Sequence, residues 1–85
     1  MIENIFGEML RKHRKERKLS QEDLALNAEI DRSFLSEIER GIRKPTINTV
    51  FALCNALHIK PSDLIKEVEA EYERKREKAD NLSDD

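Results

Sequence analysis

The sequence predicts an all-α fold of five helices in one small unit, on three observations. Leu, Glu, Lys, Arg and Ala dominate while there are only 2 Gly and 2 Pro, a composition that favours helix over sheet. Apolar residues recur at spacings of three and four along most of the chain, the period of a helix face. Small polar residues stand before several of these stretches, at Ser20, Asp31 and Thr46, where helix N-caps belong.

Each element follows in order. Residues 2–18 predict a first helix, because Ile2, Ile5, Phe6, Met9, Leu10 and His13 fall within one arc at ~100° per residue, with Arg11, Lys12, Lys15 and Lys18 on the opposite side. Ser20 and Asp23 have capping-box spacing and start a second helix over residues 21–27, burying Leu24, Ala25 and Ala28. Asp31 caps a third helix over residues 32–40, and Gly41 suits the left-handed residue that ends it. After the loop "IRKP", Thr46 starts a fourth helix whose apolar side is Ile47, Val50, Phe51, Leu53, Cys54 and Leu57, with His58 as its C-terminal cap. Pro61, Ser62 and Asp63 open a fifth helix expected to reach about Lys78, followed by a frayed tail, "ADNLSDD".

Length and composition bound the function. At 85 residues the chain makes one domain at most, with a small core. No apolar run approaches ~18 residues, so no membrane span is expected. "MIENIFGEML" lacks the features of a secretory signal, and the single cysteine, Cys54, cannot form an internal disulfide, which together predict a cytoplasmic protein. His13, His58 and Cys54 are not at metal-ligand spacing, no nucleophile–base pairing stands out, and there is no Gly-rich phosphate loop. No metal, no cofactor and no enzymatic activity are therefore expected, and Cys54 reads as core. The net charge of −2 does not by itself point to nucleic acid. Its distribution is uneven: residues 1–44 carry ten Lys/Arg against nine Asp/Glu, residues 45–85 six against nine, and the densest basic run is "RKHRKERK", Arg11 to Lys18.

The third helix carries the functional signal. With Arg32 at zero on a wheel advancing ~100° per residue, Arg32, Ser33, Ser36, Glu37 and Arg40 share one side and Phe34, Leu35 and Ile38 the other. So short a helix is unstable in water without packing. Its apolar side must be buried, which holds the polar side outward. Those residue types suit base edges: the Arg fork matches guanine O6 and N7, Glu accepts from cytosine N4, and Ser bonds several edges. A helix fits the major groove with its N-terminal end nearest the bases, here Arg32 and Ser33. The preceding helix can set its N-terminus, Ser20 and Gln21, against a phosphate.

The stretches "LSQEDLA" (Leu19 to Ala25), Ile30, "SFLSEIERG" (Ser33 to Gly41), "RKPT" (Arg43 to Thr46) and "CNALHI" (Cys54 to Ile59) resemble the phage-repressor type helix-turn-helix family, also called the xenobiotic response element family. The similarity covers about residues 5–65, and "DRSFLSEIERG" is also similar to controller proteins of restriction–modification systems. The resemblance implies a compact five-helix repressor-like DNA-binding domain, placed over residues 1–66, and a homodimer bound to double-stranded operator DNA; the residues beyond, 67–85, read as a charged helical extension and frayed tail. The resemblance implies phosphate contacts from Gln21, Arg40, Arg43 and Lys44, which join Ser20 at the start of the second helix, and base reading by Arg32, Ser33 and Glu37 with Ser36 beside them. It also implies a structural salt bridge between Arg14 and Glu39, consistent with the wheels, where Arg14 borders the apolar face beside Leu10 and Glu39 beside Leu35. Glu29 and His58 stand where the family often has Gly. A positive φ at Glu29 would add ~1 kcal/mol of strain.

Two further surfaces have a reading. Leu26, with Glu22 and Asp23 on the exposed side of the second helix, is a candidate contact for RNA polymerase, or simply a solvated apolar residue. Ile65, Val68, Tyr72, Lys75, Ala79 and Leu82 are spaced 3, 4, 3, 4, 3, a short heptad seam that extends a dimer contact or is a solvated tail. The rival function is a protein-interaction module of antitoxin or bridging-factor type, using the helix-turn-helix as scaffold.

Overall fold

The computed structural model describes the backbone of residues 1–83 and the side chains of residues 1–79. It has five helices: α1 (Ile2–Glu16), α2 (Gln21–Ala28), α3 (Arg32–Glu39), α4 (Ile47–Leu57) and α5 (Pro61–Ser83). No strand occurs among the described residues. The all-α expectation and the order of the five helices hold. α1 packs on α3 and α5, α2 on α3 and α4, and α4 on α5.

One core joins all five. Ile5, Leu10, Leu24, Leu35, Ile38, Leu53, Cys54, Leu57 and Leu64 are fully buried, with Phe6, Ala25, Ala28, Val50 and Val68 close behind. Burying each large aliphatic side chain contributes roughly 1.5–3 kcal/mol, which is what lets eight-residue helices such as α2 and α3 persist. Gly7 is part of this packing, because a Cβ there would lie 2.5 Å from the carbonyl oxygens of Ile38 and Glu39. The backbone of α1 therefore crosses the end of α3 at a distance only glycine permits.

Four helix ends share one device. Lys18, Glu29, Gly41 and His58 take left-handed angles, with φ of 56°, 58°, 78° and 58°. The next amide in each case reaches back five residues: Leu19 to Arg14, Ile30 to Ala25, Ile42 to Glu37 and Ile59 to Cys54, at 2.9–3.2 Å. This is the Schellman closure, in which the apolar residue after the turn folds back onto the helix. Leu19, Ile30 and Ile59 do so and pack against the core. Ile42 does not, and is 65% exposed.

Several expectations need correction. α1 stops at Glu16, because the chain turns at Lys18. α3 stops at Glu39 with Arg40 as its cap. Asp31 holds the N-cap position but makes no side-chain cap bond, since its carboxylate accepts from the Ser33 hydroxyl instead. Ile2, Ile47, Phe51 and Ile65 are exposed although they lie on apolar arcs; their neighbours in those arcs already fill the core. α5 continues to Ser83, so Ala79–Ser83 are helical rather than frayed, while Asp84 and Asp85 lie outside the described residues. Much of the heptad seam turns onto its own chain: Val68 is buried, Tyr72 packs against the core, and Lys75 Nζ lies 3.9 Å from Glu8 of α1. Glu67 Oε1 meets His13 Nε2 at 2.6 Å on the same contact. Leu82, also on the seam, has a side chain outside the described ones.

Candidate nucleic-acid interface

The site is built on a buried ionic network between α1 and α3. Arg14 Nε donates to Glu39 Oε2 at 2.7 Å and Nη2 donates to Oε1 at 3.0 Å. The two side chains are 9% and 2% exposed. Such a pair is tolerable only when its remaining donors and acceptors are satisfied. They are: Arg14 Nη1 donates to the Leu19 carbonyl at 2.8 Å, and Gln21 Nε2 donates to Glu39 Oε1 at 3.1 Å. Among the described residues no buried side-chain nitrogen or oxygen lacks a partner. One network thus ties α1, the turn before α2, the first residue of α2 and the last residue of α3.

The N-terminus of α2 is closed by a reciprocal box. Asp23 N donates to Ser20 Oγ at 3.0 Å, and Ser20 N donates to Asp23 Oδ2 at 3.2 Å. The box satisfies the Asp23 amide, and among the described residues the amides of Gln21 and Glu22 are left without an acceptor, the kind of helix start that favours an anion.

α3 presents its polar side outward because Leu35 and Ile38 are buried opposite it. Asp31, Arg32, Ser33, Ser36, Glu37 and Arg40, with Gln21 of α2, line a shallow open depression of about 450 Å³. Ser33 Oγ donates to Asp31 Oδ2 at 2.8 Å, and Arg40 Nε donates to the Ser36 carbonyl at 3.3 Å. Lys44 is exposed in the loop after α3. Arg43, in the same loop, bonds Glu37: its Nε and Nη2 both donate to Oε1, at 3.2 and 3.0 Å. A second depression adjoins the first and shares Gln21 and Arg32 with it, and Arg11, Lys15, Ser20 and Glu22 line its far side.

The structure therefore gathers Arg32, Ser33, Ser36, Glu37 and Arg40 on one surface with Gln21. Ser20 is set at the edge of that surface, and Arg14 and Glu39 beneath it. Three features escaped the sequence reading. Arg11 and Lys15 reach the α2 N-terminus; the basic run "RKHRKERK" was their only signal. Gln21 is half-buried and bonded to Glu39. Glu37 and Arg43 are bonded to each other. Away from the site, burial pushes the Cys54 thiol pKa above its ordinary value, in keeping with a core side chain. Among the described residues no helix is long and apolar enough to cross a membrane.

Comparison with known proteins agrees with this geometry. Residues 10–64 match the family described as helix-turn-helix. The chain is 44% identical over 78 residues to the immunity repressor protein of Bacillus phage phi105, covering 85% of this chain and 54% of the phage protein. It thus spans about half the length of that relative. It is 34% identical over 65 residues to the control protein C.BamHI of Bacillus amyloliquefaciens, covering 75% and 80% of the two chains. Among solved structures it resembles the restriction–modification controller protein C.AhdI of Aeromonas hydrophila, with a TM-score of 0.72 and 39% identity over 73% of this chain and 94% of the other. The clp gene regulator ClgR of Corynebacterium glutamicum shares the fold, with a TM-score of 0.87 at 22% identity over 98% and 88%.

Proposed function

This chain belongs to the helix-turn-helix family of phage-repressor type transcriptional regulators, and from that premise we propose that it is a homodimer that reads a (pseudo)palindromic DNA operator with α3 in the major groove. The observation that carries this reading is the outward row of Arg32, Ser33, Ser36 and Glu37 above the buried Arg14–Glu39 network. A rigidly presented row of an Arg fork, hydroxyls and a carboxylate matches what base edges offer. Phosphates are held by Ser20 and Gln21 at the start of α2 and by Arg40, Arg43 and Lys44 at and beyond the end of α3, with Arg11 and Lys15 added from α1. Phosphate contacts set register, and the α3 residues choose sequence.

The homodimer is supported by the exposed apolar side chains near the start of α4. Ile47 and Phe51, one helical turn apart, are 73% and 50% exposed, and Ile42 stands free of the packing that holds its three counterparts. In the dimer the two α3 helices meet half-sites about one turn, ~34 Å, apart. Leu26, 75% exposed beside Glu22 and Asp23 on α2, is the surface this reading leaves for RNA polymerase. Leu26→Ala should lower activated transcription and leave operator affinity unchanged, since Leu26 lines neither depression at the proposed interface; unchanged transcription would remove that contact.

In vitro selection from a random duplex pool tests the function. The expected result is an enriched motif with two-fold symmetry, on which Arg32→Ala costs ~1–3 kcal/mol and relaxes one position. A pool that enriches nothing, together with a stoichiometric protein partner on purification, would instead favour a protein-interaction module.

A further inference from the structure

Glu37 and Arg43 stand on opposite sides of the turn at Gly41; two hydrogen bonds join them, and a third contact seats Arg43 on Phe34. Arg43 Nε and Nη2 both donate to Glu37 Oε1, at 3.2 and 3.0 Å, and the Arg43 guanidinium carbon lies 5.7 Å from the centre of the Phe34 ring. That distance is within the ~6 Å range of cation–π attraction. Phe34 is itself packed against the core, so the guanidinium rests on a fixed platform. Both bonds go to one oxygen. Glu37 Oε2 accepts nothing among the described residues, and the carboxylate lines the depression in front of α3.

We propose that Arg43 is a specificity-determining positioning residue, which fixes the carboxylate of Glu37 for base readout rather than serving only as a phosphate contact. The inference rests on the reading of α3 as the base-reading helix. An isolated carboxylate is repelled by the phosphates on either side of the groove. Paired with Arg43, Glu37 approaches as a nearly neutral group. Its Oε1 is occupied, which leaves Oε2 to accept one hydrogen bond from an exocyclic amine. In the major groove those amines are cytosine N4 and adenine N6. The loop after α3 therefore takes part in choosing sequence through a side chain that need not touch a base.

The test uses the full chain on its selected duplex and on duplexes changed at each position in turn, titrated at several salt concentrations. Arg43→Lys keeps the charge but loses the planar fork. It should keep the salt dependence of binding and lose about tenfold in preference at one base pair, a size typical of one base contact. Glu37→Ala should lose the preference at that same base pair, and the double variant should lose no more of it than either single one. The proposal is overturned if Arg43→Lys keeps every base preference while Arg43→Ala weakens binding to all sequences alike and lowers the salt slope by about 1, as a pure phosphate contact would. If the unaltered chain shows no base preference at all, the reading of α3 falls and the inference falls with it.

Discussion

Glu39 is the position at which a single change should cost most. Its carboxylate accepts three hydrogen bonds, two from Arg14 at 2.7 and 3.0 Å and one from Gln21 at 3.1 Å. Glu39→Ala leaves the Arg14 guanidinium, 9% exposed, with the Leu19 carbonyl alone, and strands the Gln21 amide. Removing one partner of a buried pair costs about 3–5 kcal/mol. A domain of this size, at ~0.05–0.15 kcal/mol per residue, has roughly 4–13 kcal/mol in all. With a urea m-value of about 1.5 kcal/mol/M, the unfolding midpoint read by helical circular dichroism should fall by roughly 2–3 M. Arg14→Met combined with Glu39→Leu should recover most of the loss, because the cost lies in the stranded charge and not in the absence of the pair. A single-variant loss below ~1 kcal/mol, the range of exposed ion pairs, would refute the reasoning. So would a double variant as unstable as the single one.

Three other outcomes are expected. Glu29→Gly should stabilise by about 0.5–1 kcal/mol in thermal or urea unfolding, since relief of the left-handed angle, ~1–2 kcal/mol, exceeds the added freedom of the unfolded chain, ~0.4–1 kcal/mol. Phe51→Glu should shift sedimentation toward monomer and leave the melting of the monomer almost unchanged, because the side chain is half exposed. A raised thiol pKa at Cys54 means that the unfolded chain ionises first as pH rises. The stability this protects is full below the ordinary thiol range and declines as pH climbs through about 8.5 and beyond, so Cys54→Ala should flatten the alkaline limb of the urea-midpoint profile.

The parts of this molecule legible in its sequence are those decided by local chemistry. The Ser20 box, the Thr46 cap and the two faces of α3 depend on residues within a turn or two of each other, and all appear where the spacing places them. Arg14 and Glu39 meet as the family resemblance implied. What was not legible depends on what lies across the fold. A wheel sets the direction of an apolar arc and not how much of it a neighbour covers, so Ile47 and Phe51 pass for core. The spacing of Val68, Tyr72 and Lys75 is the same whether the seam faces a second chain or, as here, α1. Gly7 carries no periodic signal, yet it sets how closely α1 crosses α3. Glu37 and Arg43 meet only because the Gly41 turn folds the loop back over the end of α3.

Interference by guanine N7 methylation on the selected duplex tests the central claim most directly, because N7 is exposed only in the major groove. The account predicts that methylation blocks binding at two clusters about one helical turn apart, and that Arg32→Ala abolishes the interference at one guanine in each cluster. Binding indifferent to N7 methylation, or an interference pattern unchanged by Arg32→Ala, would contradict it.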